Sequence, residues 1–168
     1  MGYHDMLYAI IETSLPALSQ ISTEEYNRKD DPARWSKKEL LGHLVDSAYN
    51  NHQRLIRADK QINLCFPGYA QDDWVRKNNY QNREPDEILH LWSSSNRHLA
   101  ILISQLSSDI LSRKTKDHNF DKICMNLLHH EETTSLSYLV WDYIFHLEHH
   151  LSQLLPKYDR RLNDDVYY

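Results

Sequence analysis

At 168 residues, 40% hydrophobic and 26% charged, the chain has the size and composition of one ordered domain rather than a disordered segment. A net charge of −5 with scattered basic residues argues against nucleic-acid binding. No apolar run approaches 18 residues and the N-terminus is not signal-like, so no membrane span is expected and a cytoplasmic protein is.

Three glycines and long 3.6-residue periodicities point to an all-α chain. Residues 3–21 place Tyr3, Leu7, Ile10, Ile11, Leu18 and Ile21 on one face, with Pro16 predicting a kink or break. A polar connector follows, with a short helical turn expected near Thr23 to Tyr26. Ser36 and Glu39 form a capping-box pattern, with Trp35 as a candidate hydrophobic staple, and start a helix running to about residue 60. Leu40, Leu44, Ala48, Leu55 and Ile62 mark its core face. His43, Ser47, Asn50 and Arg54 share the polar edge of that face, the other three within ~40° of His43 at ~100° per residue.

Residues 63–82 are long for a plain loop. Their Phe66, Tyr69 and Trp74 suggest packing over an open end of the fold, as ordinary loop packing or as a lid. A third helix starts at Pro85 and carries Ile88, Leu91, Trp92, Leu99, Leu102, Ile103 and Leu106 to about residue 108. His98 on its edge is a spare ligand candidate. A second long connection spans 109–132, with a short strand or turn expected near Ile123 to Leu128. Its adjacent His129 and His130 are poorly placed to share an ion. Thr134 is the expected N-cap of a fourth helix that stops before Pro156. The tail, from about 160 to 168, is expected to be loosely ordered. Cys65 and Cys124 lack CxxC spacing and read as free thiols.

The expected architecture is one four-helix bundle over residues 1–168 with two long connecting loops. In the fourth helix His146 and His150 lie one turn apart at the apolar stripe, whereas His149 points elsewhere. If the second and fourth helices run antiparallel, His43, His146 and His150 converge at one end. Three imidazoles with positions left open are the catalytic rather than the structural pattern for zinc, and imidazole also suits nickel or iron. Asp46, Asp142, Glu148 and Gln153 are candidate outer partners of these ligands.

The pattern Arg34-Trp35-Ser36 leading into Gly42-His43-Leu44-Val45-Asp46, with His146-Leu147-Glu148-His149-His150-Leu151-Ser152-Gln153, resembles the DinB/YfiT superfamily of metal-binding four-helix bundles. The resemblance implies His43, His146 and His150 as ligands of a divalent metal, zinc or nickel above all. It implies a metal-dependent enzyme: a thiol S-transferase or isomerase using bacillithiol, mycothiol or glutathione, or a metal-dependent hydrolase. The shared chemistry is a thiol or water made nucleophilic near neutral pH. Arg54 and Asn50 are candidate contacts for an anionic group of a small-molecule substrate, and Asp46 a candidate to orient His43. The alternative is a non-catalytic, stress-related metal-binding or dimerisation module. A homodimer is expected, with Tyr49, Tyr138 and Phe145 as candidate face residues.

Overall fold

The computed structural model describes residues 2–162. The elements are α1 (Tyr3–Leu18), the short α2 (Thr23–Asn27), α3 (Lys37–Ala58), the short α4 (Gln71–Lys77), α5 (Pro85–Gln105), the brief turns α6 (Ser108–Ser112) and α7 (Phe120–Ile123), and α8 (Leu136–Leu154). Among the described residues there is no β-strand, only two isolated bridges. The chain is an all-α four-helix bundle built on α1, α3, α5 and α8.

Each of α1 and α3 packs against both α5 and α8, so α1 faces α3 and α5 faces α8 across the diagonals. Lys38 lies within electrostatic reach of Glu84, and His52 stacks on His98. These two pairings keep the same offset along both helices, so α3 and α5 run in the same direction. The chain must therefore climb back over the bundle between them, which explains the length of the 59–84 connection. The shared core combines Leu7 and Ile11 of α1, Leu44 and Leu55 of α3, Trp92 and Leu99 of α5, and Leu147 and Leu151 of α8.

Local signals explain most boundaries. Ser36 caps Glu39 N–H at 3.2 Å while Glu39 Oε2 accepts from Ser36 N–H at 2.9 Å, so the capping box forms reciprocally. Pro85 opens α5 at a position where a missing N–H costs nothing. Other expectations are corrected. Pro16 does not break α1, because it sits in the last turn of a helix that ends at Leu18. Thr134 is not the cap of α8. Its backbone pairs with Thr115 in an antiparallel bridge, and Ser135 takes the N-cap position. Ile62 lies beyond the end of α3 and is 89% exposed. Of the tail, Arg160 to Leu162 are described; Glu148, fully buried, accepts the backbone N–H groups of Arg161 and Leu162 and the Tyr158 hydroxyl. This ties the first part of the tail down, and residues 163–168 lie outside the described residues. Among the described residues no helix is long and apolar enough to cross a membrane.

Candidate metal centre

The capping box fixes where α3 begins, and His43 follows on its second turn with no exposed surface. Gly42 precedes it for a steric reason. A Cβ there would stand 2.2 Å from the Tyr80 ring, so only glycine lets that ring lie against the helix. Tyr80 then donates its hydroxyl to Asp46 Oδ1 at 2.8 Å, and Asn78 Nδ2 donates to the same oxygen at 2.8 Å. Burial pushes the Asp46 carboxyl up to about 6, against the opposing pull of these two bonds. Asp46 therefore anchors the 78–80 turn onto α3. The expectation that it orients His43 is not met, because its hydrogen-bonded oxygen serves Tyr80 and Asn78.

α8 runs antiparallel to α3, since His43 meets His146 and His150 whereas Arg54 shares a cavity with Asp142 and Tyr143. One imidazole nitrogen from each of His43, His146 and His150 lies within 4.8 Å of the others. His43 Nε2 and His146 Nε2 are 3.1 Å apart. Two nitrogens on a tetrahedral zinc stand about 3.3 Å apart, given bonds of about 2.0–2.1 Å. The spacing thus fits a shared divalent ion. His150 Nδ1 bonds to Gln153 Oε1 at 2.9 Å, and the same amide donates to His149 Nε2 at 3.0 Å. With Nδ1–H given to Gln153, the lone pair of His150 sits on Nε2. The Nδ1 atoms of His43 and His146 are buried and have no hydrogen-bond partner among the described residues.

Burial holds all three rings neutral. His43 is pushed down to about 3 by desolvation and then by His150. His146 is driven well below the ordinary imidazole value by burial and then by His150 and His43. His150 is lowered by burial, with Gln153 opposing. Three neutral imidazoles present lone pairs rather than charges, which is what a cation requires of them.

Two recesses border His150. One, of about 270 Å³, lies along α3 and α8 and is lined by Ser47, Asn51, Arg54, Asp142, His146 and His150, among others. Tyr69 and Cys124 come into its wall from the two long connections. The other, of about 610 Å³, reaches His150 among Trp35, Arg34, Asp72 and Gln153. Trp35 and Tyr69 flank His43, with ring centroids 4.9 and 6.5 Å away.

A sequence profile of the DinB superfamily matches residues 6–154. The chain belongs to the DinB superfamily. No curated protein matches it. Among solved structures, YfiT from Bacillus subtilis is similar in fold, with a TM-score of 0.69 at 17% identity over 94% of this chain and 86% of that one. That protein is described as a probable metal-dependent hydrolase with an unusual four-helix bundle topology.

Around the DinB bundle the remaining candidate residues sort by what covers them. Arg54 reaches the smaller recess and is 5% exposed. Asn50 does not line that recess; its amide donates to the Asp46 carbonyl and it lines a neighbouring hollow with Trp74, Phe66 and Arg54 itself. Asp142 accepts from the backbone N–H groups of Met125 and Asn126, and so holds the 124–126 segment against α8. Of the four candidate outer partners, Gln153 bonds a histidine of the cluster, whereas Asp46, Asp142 and Glu148 anchor loops. His98 stacks on His52, away from the cluster. His118 is buried and bonds the Glu132 carbonyl and the Phe120 N–H. His129 and His130 are exposed on their loop. Tyr138 and Phe145, expected on an outer face, are 7% and 6% exposed. Phe120 stacks on Tyr138 and the Arg160 guanidinium lies over Phe145. Of the three expected face residues Tyr49 alone is exposed, at 51%.

Lys122, Cys124 and Gln71 also line the site and carried no local signal. The one hint was the length of the two connections. These are joined by a Leu64–His118 bridge and by paired bonds between Phe66 and Asn119, which together set Tyr69 and Cys124 over the recess.

Proposed function

We propose that this protein is a divalent-metal-dependent enzyme in which His43, His146 and His150 hold the ion, zinc or nickel by donor type, and that it transfers a small thiol onto an electrophilic small molecule. The observation that carries this reading is that His150, one of a cluster of three neutral imidazoles, lines two separate recesses. A hydrolase needs room for one organic substrate plus water, whereas a transfer between two molecules needs room on both sides of the centre. A non-catalytic module has no use for either recess.

A divalent cation supplies the Lewis acidity that makes a thiol or water nucleophilic near neutral pH. The chain's own residues do the rest. His43 and His146 are packed so tightly that their nitrogens are aimed before any ligand arrives, and Gln153 fixes the ring of His150. Trp35 and Tyr69 shield His43 from bulk water. In the transfer the thiol S–H gives up its proton, a carbon–sulfur bond forms, and the leaving group departs with its electron pair and takes a proton. Hydrolysis is the second reading, favoured by the description of YfiT.

Metal analysis of purified protein, followed by turnover assays with low-molecular-weight thiols plus electrophiles and with ester and amide panels, separates the readings. Stoichiometric metal with thiol-dependent conjugation supports transfer. Turnover of esters without thiol supports hydrolysis. Metal without turnover on either panel overturns both.

A further inference from the structure

We infer that the smaller recess takes a small substrate bearing a carboxylate, with that carboxylate seated on Arg54 and the reacting end at the histidine cluster. The inference deepens the function proposed above and rests on it for the position of the reacting end.

Arg54 carries its charge into a buried place where no carboxylate among the described residues touches it, and Asp142 acts on it only from beyond ion-pair distance. The residue is 5% exposed. Its Nη1 reaches Asn51 Oδ1 at 3.4 Å and its Nη2 the Pro67 carbonyl at 3.3 Å, both long bonds to neutral acceptors. Its Nε is buried with no partner among the described residues. No carboxylate comes within ion-pair distance of it among the described residues. Its five donors form a planar fork suited to a carboxylate, so most of its bonding capacity is unspent.

The acid on the same wall acts on Arg54 only at a distance, because its hydrogen bonds are spent elsewhere. Asp142 lines the same recess, but its Oδ1 accepts from Asn126 N–H at 2.7 Å and Asn126 Nδ2 at 3.1 Å, and its Oδ2 accepts from Met125 N–H at 3.0 Å. The other charged group on the recess wall is Lys122, which adds a second positive charge. Buried cations without a paired anion are costly, and ligand sites are where that cost is retained.

Position points the same way. Arg54 follows His43 by three turns on one side of α3, with Ser47 and Asn51 between. Helical side chains lean toward the N-terminus, so the guanidinium reaches back toward the cluster. Asn51 is itself held by an amide bond to the Ser47 carbonyl at 3.0 Å, which keeps its Oδ1 on Arg54. At about 270 Å³ the recess lies just below the usual range for small-molecule pockets, so the acid is compact.

The test compares 3-mercaptopropionate with its methyl ester by calorimetric titration of zinc-loaded protein. Wild type, Arg54→Lys and Arg54→Gln are measured, with metal content determined for each. The acid is expected to bind wild type at least tenfold more tightly than the ester. Arg54→Lys should keep much of that preference, and Arg54→Gln should bring the two within about twofold, with metal content unchanged throughout. Equal binding by wild type, or a preference that survives in Arg54→Gln, overturns the inference while leaving the metal centre standing. If the protein binds neither zinc nor nickel, the proposed function fails, and the anion site is tested alone on metal-free protein. There, thermal stabilisation by propionate but not methyl propionate, lost in Arg54→Gln, supports the inference, and its absence overturns it.

Discussion

Helix α3 carries two histidine contacts nine residues apart, and they could hardly be less alike. His43 meets His146 and His150 with ring planes crossed at 71° and 84°. His52 meets His98 with planes only 23° apart and centroids at 4.7 Å. Stacked rings lie face to face and direct their nitrogens sideways past each other. Steeply crossed rings let several edges share one point. The first group is also walled by aromatics and oriented by Gln153, whereas His98 is exposed and its partner half-buried. Proximity of imidazoles is therefore not what distinguishes a metal centre; crossing angle, a third ring and burial are.

The sharpest way to break that contrast is to remove one ring from each group. His146→Ala should abolish stoichiometric zinc retention through gel filtration, read by elemental analysis. Retained metal in that variant sinks the ligand assignment.

Acid titration of the metal-free protein comes next. His43 is held near 3 against 6.5 for a free imidazole, and His146 and His150 are lowered too. The unfolded chain therefore takes up protons first. Stability contributed by these neutral rings is present above pH 6.5 and is lost as the pH falls below it. For His43 the loss is about 1.4 kcal/mol per pH unit between 6.5 and about 3, and His146 and His150 add to it in the same direction. Asp46 works in the other sense: its carboxyl is raised to about 6 from 3.8, so its contribution is present below 3.8 and lost as pH rises through 6. One group offsets part of three. Denaturant melts at pH 7, 6 and 5 should show net destabilisation on acidification, with a shallower slope in His146→Ala.

Two smaller changes probe how the first group is held. Gly42→Ala gains up to about 1 kcal/mol in helix propensity, but it drives a methyl into the Tyr80 ring at a cost of about 1–3 kcal/mol. A net fall in the denaturation midpoint is expected, and an unchanged or raised midpoint shows that the ring yields freely. Gln153→Leu removes the acceptor of His150 Nδ1–H and should weaken zinc affinity about 10–100-fold in chelator competition. Last, His98→Ala should leave zinc content unchanged and move stability by no more than about 0.5 kcal/mol.

The contrast also shows what could be read from the chain alone. The capping box at Ser36, the one-turn spacing of His146 and His150, and the apolar stripes are local, and local patterns survive folding unchanged. Whether Asp142 and Glu148 lie on the surface is not local. Each sits on α8 at a place where a distant segment, 124–126 or 158–162, folds over it and turns a surface acid into a buried acceptor. Tyr138 and Phe145 were misplaced for the same reason. The smaller recess was half legible: Arg54 follows from helical arithmetic, but Tyr69 and Cys124 depend on two connections bridging to each other. No periodicity within either connection encodes that. Asn50 shares a hollow with Arg54, as their common helix edge suggests, but it is not among the residues that line the recess holding His146 and His150.

The two principal imidazoles stand 103 residues apart in sequence, with α5 and two long crossings between them. Such a site has no early version. One ring of the three stands on α3 while most of the polypeptide is still unpaired, and a single ring grips a cation weakly. Tight zinc capture during refolding should therefore arrive in step with the slowest docking of α8, which makes the ion a clock for completion of the tertiary structure.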